Sequence, residues 1–435
     1  MRILVATVGT GRNRKDIAGA IAYSARKHQA DVLLCLTSPK TEQETLPEVR
    51  ALLADAGVTI ESHPVDDVDD VQTLFVEYRR ILADVAARHP AADLRADFTS
   101  GTKPMSAALF AAAVAQRVRE VSYVVGERDE TGRALPDHPL HIRSLPPDLV
   151  TADEDLRLAR RLFNAGDYHA AAELAWRYAR RPTGLPEGPL KRLAAAIRRL
   201  GEAYWKWERF DWRGAAHDLS GAEHWLPPDE APWADRLARQ REFLRRCVGD
   251  SRSDWPAERV ADLAANAQRR IDQGQHDDAV ARCYRAVEYL AQWRLATAHG
   301  IENTGKVPVD RLPEGLRREL GVKPGVPEIK LGLQNAFRLL EALGDPLGAE
   351  FRSRYAGPGQ PWDGARGPLA NLLGIRNQSW LAHGQAPAPE ESARDLLTQL
   401  DELAQRIIPD FAALRTTAEH VRWPLPEAPA AAEGE

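Results

Sequence analysis

The chain has 435 residues, 44% of them hydrophobic and 28% charged, with a formal net charge of -5. That length and apolar content support two or three domains with buried cores, and the charge balance argues against a surface coated in cations for tight nucleic-acid binding. Cys35, Cys247 and Cys283 lie far apart with no CxxC or Cys/His cluster, which argues against a disulfide framework or a zinc site and fits a reducing cytoplasm.

The opening MRILVATVGTGRNRKD carries an apolar run too short for a signal sequence, and no stretch approaches the length of a membrane span. Over the first 145 residues short β-branched runs alternate with helical patterns: RILVATV, VLLCL at 32–36, VTIESHPV from 58, DLRADFT at 93–99 and VSYVVG at 121–126. The runs are apolar on both faces, which predicts a parallel α/β sheet covered by helices on each side. Ligands of such sheets bind beyond the carboxyl ends of the strands, which directs attention to the loops at 9–13, 37–40 and 99–104.

From Pro146 onward segments rich in Ala, Leu, Arg and Glu predict an all-helical remainder. AGDYHAAAEL, RFDWRGAAHDL and QGQHDDAVARCY each read as a turn followed by a helix that packs a small residue, as in tetratricopeptide-type hairpins, with unequal spacing and so no regular solenoid. Trp205, Trp207, Trp212, Trp225, Trp233 and Trp255 crowd the middle of the chain, where helix packing accounts for them better than a base-stacking platform. The proline-rich stretch at 307–328 reads as a loop excursion, and a last helix is expected to carry Arg376 and to close on Gly384. The closing PLPEAPAAAEGE is a tail with nothing to bury, expected to be disordered from 423.

DFTSGTKPMSAALFAAAV, from Asp97, brings hydroxyls, a glycine, a lysine and free backbone amides to a helix N-terminus, with Pro104 in the first turn. Such an end suits a phosphate, although Ser100 and Thr102 serve equally as helix caps with Lys103 solvated. GxxxxGK[ST] is absent, and GTGRNRK has Arg14 where GxGxxG needs its third glycine. The usual signatures of ATP hydrolysis and NAD binding are therefore missing, and a nucleotide-sugar or NAD enzyme, which would bind mononucleotides, survives only as a rival.

The pairing of ATVGTGRNRKD with DFTSGTKPMSAAL resembles the CARF domain, a Rossmann-like sensor of type III CRISPR defence whose strand-four loop reads D-x-T-x-G-x-K-x-M. Asp97, Thr99, Gly101, Lys103 and Met105 match it in order. The resemblance implies a homodimer that holds a cyclic oligoadenylate ring across its two-fold axis. Carried over, it implicates Thr10, Gly11, Ser38, Lys40, Thr99, Ser100, Gly101, Thr102, Lys103 and Met105 in binding the ring.

RNQSWLAHG at 376–384 resembles the Arg/His signature of HEPN ribonucleases, and the string as a whole resembles one CARF-HEPN family of CRISPR-associated proteins. Other pairs fit the same spacing: Arg133/His138, Arg269 or Arg270/His276, Arg294/His299 and Arg415/His420. RNA brings its own nucleophile, the 2'-OH, so cleavage needs positioning, a group that moves a proton near neutral pH, and a cation for the phosphorane-like transition state. His383 can move the proton, Arg376 can offer a fork of donors to the phosphate, and Asn377 can orient either.

The resemblance thus implies an α/β Rossmann-like domain over 1–147, a helical linker domain over 148–255 and an all-α HEPN domain over 256–422. It also implies a cytoplasmic, allosteric, RNA-binding homodimer that cuts single-stranded RNA, with no cofactor or metal and with the ring as activator. The alternative is a ring-sensing helical scaffold that has lost cleavage.

Overall fold

The computed structural model describes residues 1–10, 14–127, 139–179, 185–250, 254–364, 366–380 and 384–425. The apolar runs become strands β1 (Arg2–Thr7), β2 (Val32–Thr37), β3 (Thr59–Pro64), β4 (Asp93–Asp97) and β5 (Glu120–Val125), with a further strand β6 (His141–Leu145). They form one sheet in the order β3-β2-β1-β4-β5-β6, parallel except for β6, which runs antiparallel to β5. The sequence predicted only parallel strands. HIRSL is an edge strand with three of its five residues exposed, so it lacks the continuous apolar run by which the inner strands are recognised.

Between the strands lie helices α1 (Arg14–Lys27), α2 (Pro39–Glu44), α3 (Leu46–Leu52), α4 (Val71–Arg88) and α5 (Lys103–Ala115). Alternation along β1 divides the core in two. Ile3 and Val5 pack with Tyr78, Leu82, Leu109 and Ala112 of α4 and α5, while Leu4 and Ala6 pack with Ile21, Ala22 and Val49 of α1 and α3. Ala6 lies opposite Cys35 on one side and Asp97 on the other, so the carboxyl ends of β1, β2 and β4 finish along one edge.

The chain packs as two compact units, Met1–Leu156 with Arg177–Lys191 and Arg157–Trp176 with Arg192–Glu435. In the second, helices Glu258–Asp272, His276–His299 and Glu390–Ile407 bury one another's apolar faces through residues such as Val260, Val287, Leu290 and Leu396. Helices Leu333–Ala342 and Pro346–Tyr355 are joined by stacked Phe337 and Phe351, 3.7 Å between ring centroids. The expected loop at 307–328 is in fact structured: Val307–Pro308 pairs antiparallel with Glu328–Ile329, and helix Glu314–Glu319 lies between. Pro308 lies in one two-residue strand and Pro327 just before the other, which conceals the pairing from any periodicity.

Of the clustered tryptophans Trp207 is fully buried, and its Nε1 donates to Asp262 Oδ1 at 2.6 Å, while Trp212 Nε1 donates to Oδ2 at 2.7 Å. Asp262 is wholly buried, and burial raises its carboxyl from the usual 3.8 to about 6. An acid raised in the folded state contributes stability that is complete below its unfolded pKa and is lost as pH rises through the folded one. The unfolding temperature of Asp262→Asn, taken relative to the parent, should therefore climb between about pH 4 and 6. A difference that stays flat across that window in differential scanning calorimetry would refute the assignment.

Candidate functional site

Two glycines shape the edge where β1 and β4 end. A Cβ on Gly9 would fall 2.7 Å from Gly101 N, so only glycine lets the two loops touch. Gly101 itself has φ +99, and a Cβ there would lie 3.0 Å from Thr7 Cβ. Gly101→Ala should cost about 1–3 kcal/mol, read as a lower midpoint in chemical denaturation. Ser100 stitches the same loops: its Oγ accepts from Gly9 N at 2.9 Å and donates to Thr7 O at 2.8 Å.

Asp97 is buried beneath them and organises the turn. It accepts from Ser24 Oγ at 2.6 Å, from Thr99 N at 2.9 Å and from the Thr99 hydroxyl, whose oxygen in turn accepts from Val124 N at 2.7 Å. Thr102 caps α5 by accepting from Met105 N at 3.3 Å, and it donates to Val68 O at 2.7 Å. Pro104 has no N–H, and the N–H groups of Met105 and Ser106 are taken by Thr102, so the edge presents the start of α5 at the exposed Lys103. Thr10 lies half-buried next to Gly9, and Lys40 is exposed in the first turn of α2, just beyond β2.

Several expected ligand contacts take a different role. Met105 is 1% exposed in the core between α5 and the sheet, because its position in the first turn faces inward. The hydroxyls of Thr99 and Ser100 are engaged inside the loop, and Ser38 caps α2 in a reciprocal box with Thr41. These residues shape the edge through the backbone. Gly11 lies outside the described residues. Gly9, which opens the 9–13 loop singled out from the sequence but was not among the residues expected to bind, carries the close approach.

The second site lies on helix Pro368–Gln378. Its start is pinned at Gly367, whose N–H donates to Tyr355 O at 2.9 Å and where a Cβ would sit 2.2 Å from Arg354 O. Leu369 and Leu373 bury one face, which fixes the rotation of the last turn and leaves Arg376 half-buried and Asn377 exposed. The Arg376 guanidinium lies 5.1 Å from the ring centroid of Tyr284, on helix His276–His299, and its Nη1 donates to Asn377 Oδ1 at 3.1 Å.

The helix does not reach Gly384, as the sequence predicted. It ends at Gln378, where Ser379 turns its N–H and its hydroxyl onto Arg376 O at 3.3 and 3.0 Å. A side chain that satisfies a local carbonyl in this way competes with helix continuation. Gly384 N donates to Ser379 O at 3.1 Å. His383 itself lies outside the described residues. Trp380 is 63% exposed.

The competing pairs are engaged elsewhere. Arg269 and Arg270 both donate to Glu208, and His276 lies 3.8 Å from Glu390. Arg294 Nε and His299 Nε2 converge on Asp345 Oδ2 at 2.7 and 2.9 Å. Arg415 forks onto Asp401 with two bonds of 3.1 Å, and His420 is buried against Tyr204 with its ring centroid 4.0 Å away. Arg133 and His138 lie outside the described residues. Among the described arginines of these pairs, Arg376 is the one without a described carboxylate partner.

A Rossmann-like sheet with a glycine-built edge is thus followed by helices, one of which carries in its last turn an arginine free of any described carboxylate. A family model described as the Csm6 6H domain matches residues 151–248, and one described as the Csm6 HEPN domain matches 256–407. The CRISPR system endoribonuclease Csm6 of Thermus thermophilus is 27% identical over 379 residues, covering 79% of this chain and 74% of that protein. Enterococcus italicus Csm6 bound to cyclic hexa-2'-fluoro-hexa-dAMP superposes with a TM-score of 0.58 at 13% identity, over 96% of this chain and 98% of that one. Both models describe domains of Csm6, and they match adjoining segments of this chain. Among the described residues no helix is long and apolar enough to cross a membrane.

Proposed function

We propose that the chain is a cytoplasmic endoribonuclease of type III CRISPR antiviral defence, activated by cyclic oligoadenylate and cutting single-stranded RNA with Arg376, Asn377 and His383. The observation that carries the site is the state of Arg376: it lies inside the segment matched as a Csm6 HEPN domain and keeps its charge free of any described carboxylate. A transition state with charge on non-bridging phosphate oxygens needs such a cation. His383 exchanges the proton of the 2'-OH and of the leaving 5'-oxygen, giving 2',3'-cyclic phosphate and 5'-hydroxyl ends. This chemistry places no demand on a metal.

The activator belongs at the strand-end edge. Thr10, the loop from Thr99 to Lys103 and Lys40 offer amides and ammonium groups to a phosphodiester ring. Sensor, linker and effector correspond to 1–147, 148–255 and 256–422. Two copies share one ring and one composite nuclease cleft, so a lone protomer is inactive, and ring binding shifts the population toward the competent pair.

The test incubates purified protein with labelled RNA, with and without cyclic tetra- and hexa-adenylate, in EDTA. Cleavage that requires a ring, survives chelation and disappears in His383→Ala supports the enzyme. The second reading is a ring-sensing helical scaffold that has lost cleavage. Absence of cleavage with every ring, despite ring binding, would establish it.

A further inference from the structure

We propose that Tyr284 is the positioning residue for Arg376, seating the guanidinium on its ring face so that it is held without being neutralised. The inference rests on Arg376 being a catalytic residue, as proposed above. The two side chains come from helices His276–His299 and Pro368–Gln378, which pack together. The 5.1 Å separation lies within the ~6 Å reach of a cation–π contact. The other described partner of the guanidinium, Asn377 Oδ1, is uncharged.

An arginine that meets a phosphorane faces two opposed requirements. It must be fixed beforehand, because a loose side chain gives up its rotamer freedom and its alignment during reaction. It must also keep its charge and its N–H donors available. A carboxylate satisfies the first and defeats the second, as Glu208, Asp345 and Asp401 do for Arg269, Arg294 and Arg415. An aromatic face satisfies both: it attracts the cation through its quadrupole while the donors, which lie in the guanidinium plane, remain free at the rim.

Tyr284 is well placed for this. Cys283 and Val287 on its helix are fully buried and fix the backbone beneath it. The adjacent cation, Arg285, is drawn away to Glu288 and Gln292 at 2.9 Å each, leaving the Tyr284 face to Arg376. No pattern in the sequence announces the pairing, because it joins two helices distant in the chain.

The experiment uses the full chain with a saturating activating ring and labelled RNA. Tyr284→Leu should lower kcat about 5- to 30-fold with KM nearly unchanged, and Tyr284→Phe should recover most of that loss. Phenylalanine carrying one, two or three ring fluorines at position 284 should lower kcat stepwise, since each fluorine weakens the ring face while the packing is retained. In an Arg376→Ala background Tyr284→Leu should add nothing. A flat fluorine series, a Phe variant as impaired as Leu, or an additive loss in that background overturns the proposal. If Tyr284→Leu does not fold, the fluorinated series alone decides. Should Arg376→Ala retain parental cleavage, the assignment of Arg376 itself is wrong; an inactive Arg376→Ala with a flat series removes only Tyr284.

Discussion

Arg376→Ala should lower the cleavage rate by about 10²- to 10³-fold, and His383→Ala by about 10²- to 10⁴-fold, with ring binding and thermal unfolding unchanged in both. The double variant should be little worse than the more damaged single one, because the two groups act as a unit. Arg376 has no carboxylate to abandon, so its removal leaves no orphaned buried charge and the stability change should stay within about 0.5 kcal/mol. Arg294→Ala is the informative contrast. It deprives Asp345, a 4%-exposed carboxylate that also caps helix Pro346–Tyr355, of its guanidinium partner and should depress the unfolding temperature before it touches chemistry. Single-turnover cleavage read beside a thermal melt separates the two patterns. Loss of cleavage in Arg294→Ala at full stability, with Arg376→Ala active, would move the site to the other pair.

The parts legible in the sequence were those written in short-range chemistry. Apolar runs announced β1 to β5, and the Asp97–Lys103 loop announced a helix N-terminus at a sheet edge, because each residue there acts on neighbours a few positions away. What escaped depends on contacts between distant segments. Met105 resembles a ligand contact in the motif but falls on the inward face of α5. Seven-residue spacing placed Arg376 and His383 on one helical face, yet Ser379 ends the helix by bonding back to Arg376 O. The rival Arg/His pairs could not be ranked by spacing, since what discriminates them is the carboxylates they meet across the fold. Tyr284 carried no sequence signal at all.

Glu208→Ala should be among the most destabilising single changes in the helical unit. Glu208 ends helix Pro189–Glu208, where the helix dipole disfavours an anion, and its side chain is 7% exposed. What holds it there is a pair of guanidiniums: Arg269 Nε and Arg270 Nη2 donate to separate carboxylate oxygens, with Asn266 Nδ2 adding a bond at 3.3 Å. His420 does not compete as a cation, because burial, together with Arg269, Arg236 and Arg270, pushes its pKa well below the usual value. Removing the carboxylate therefore leaves two arginines, with side chains 12% and 16% exposed, facing each other without an anion. Breaking a buried pair from one side costs about 3–5 kcal/mol, which corresponds to a fall of roughly 10 °C in unfolding temperature for a unit of this size. Glu208→Gln keeps the shape and one acceptor and should fall between the parent and alanine, which isolates the part due to charge. Glu208 lies in the segment matched as 6H and its partners in the segment matched as HEPN, so the same loss should also uncouple ring binding from cleavage. A shift below about 2 °C for Glu208→Ala would mean that both arginines turn to solvent at little cost, and that these helices are joined by their apolar faces alone.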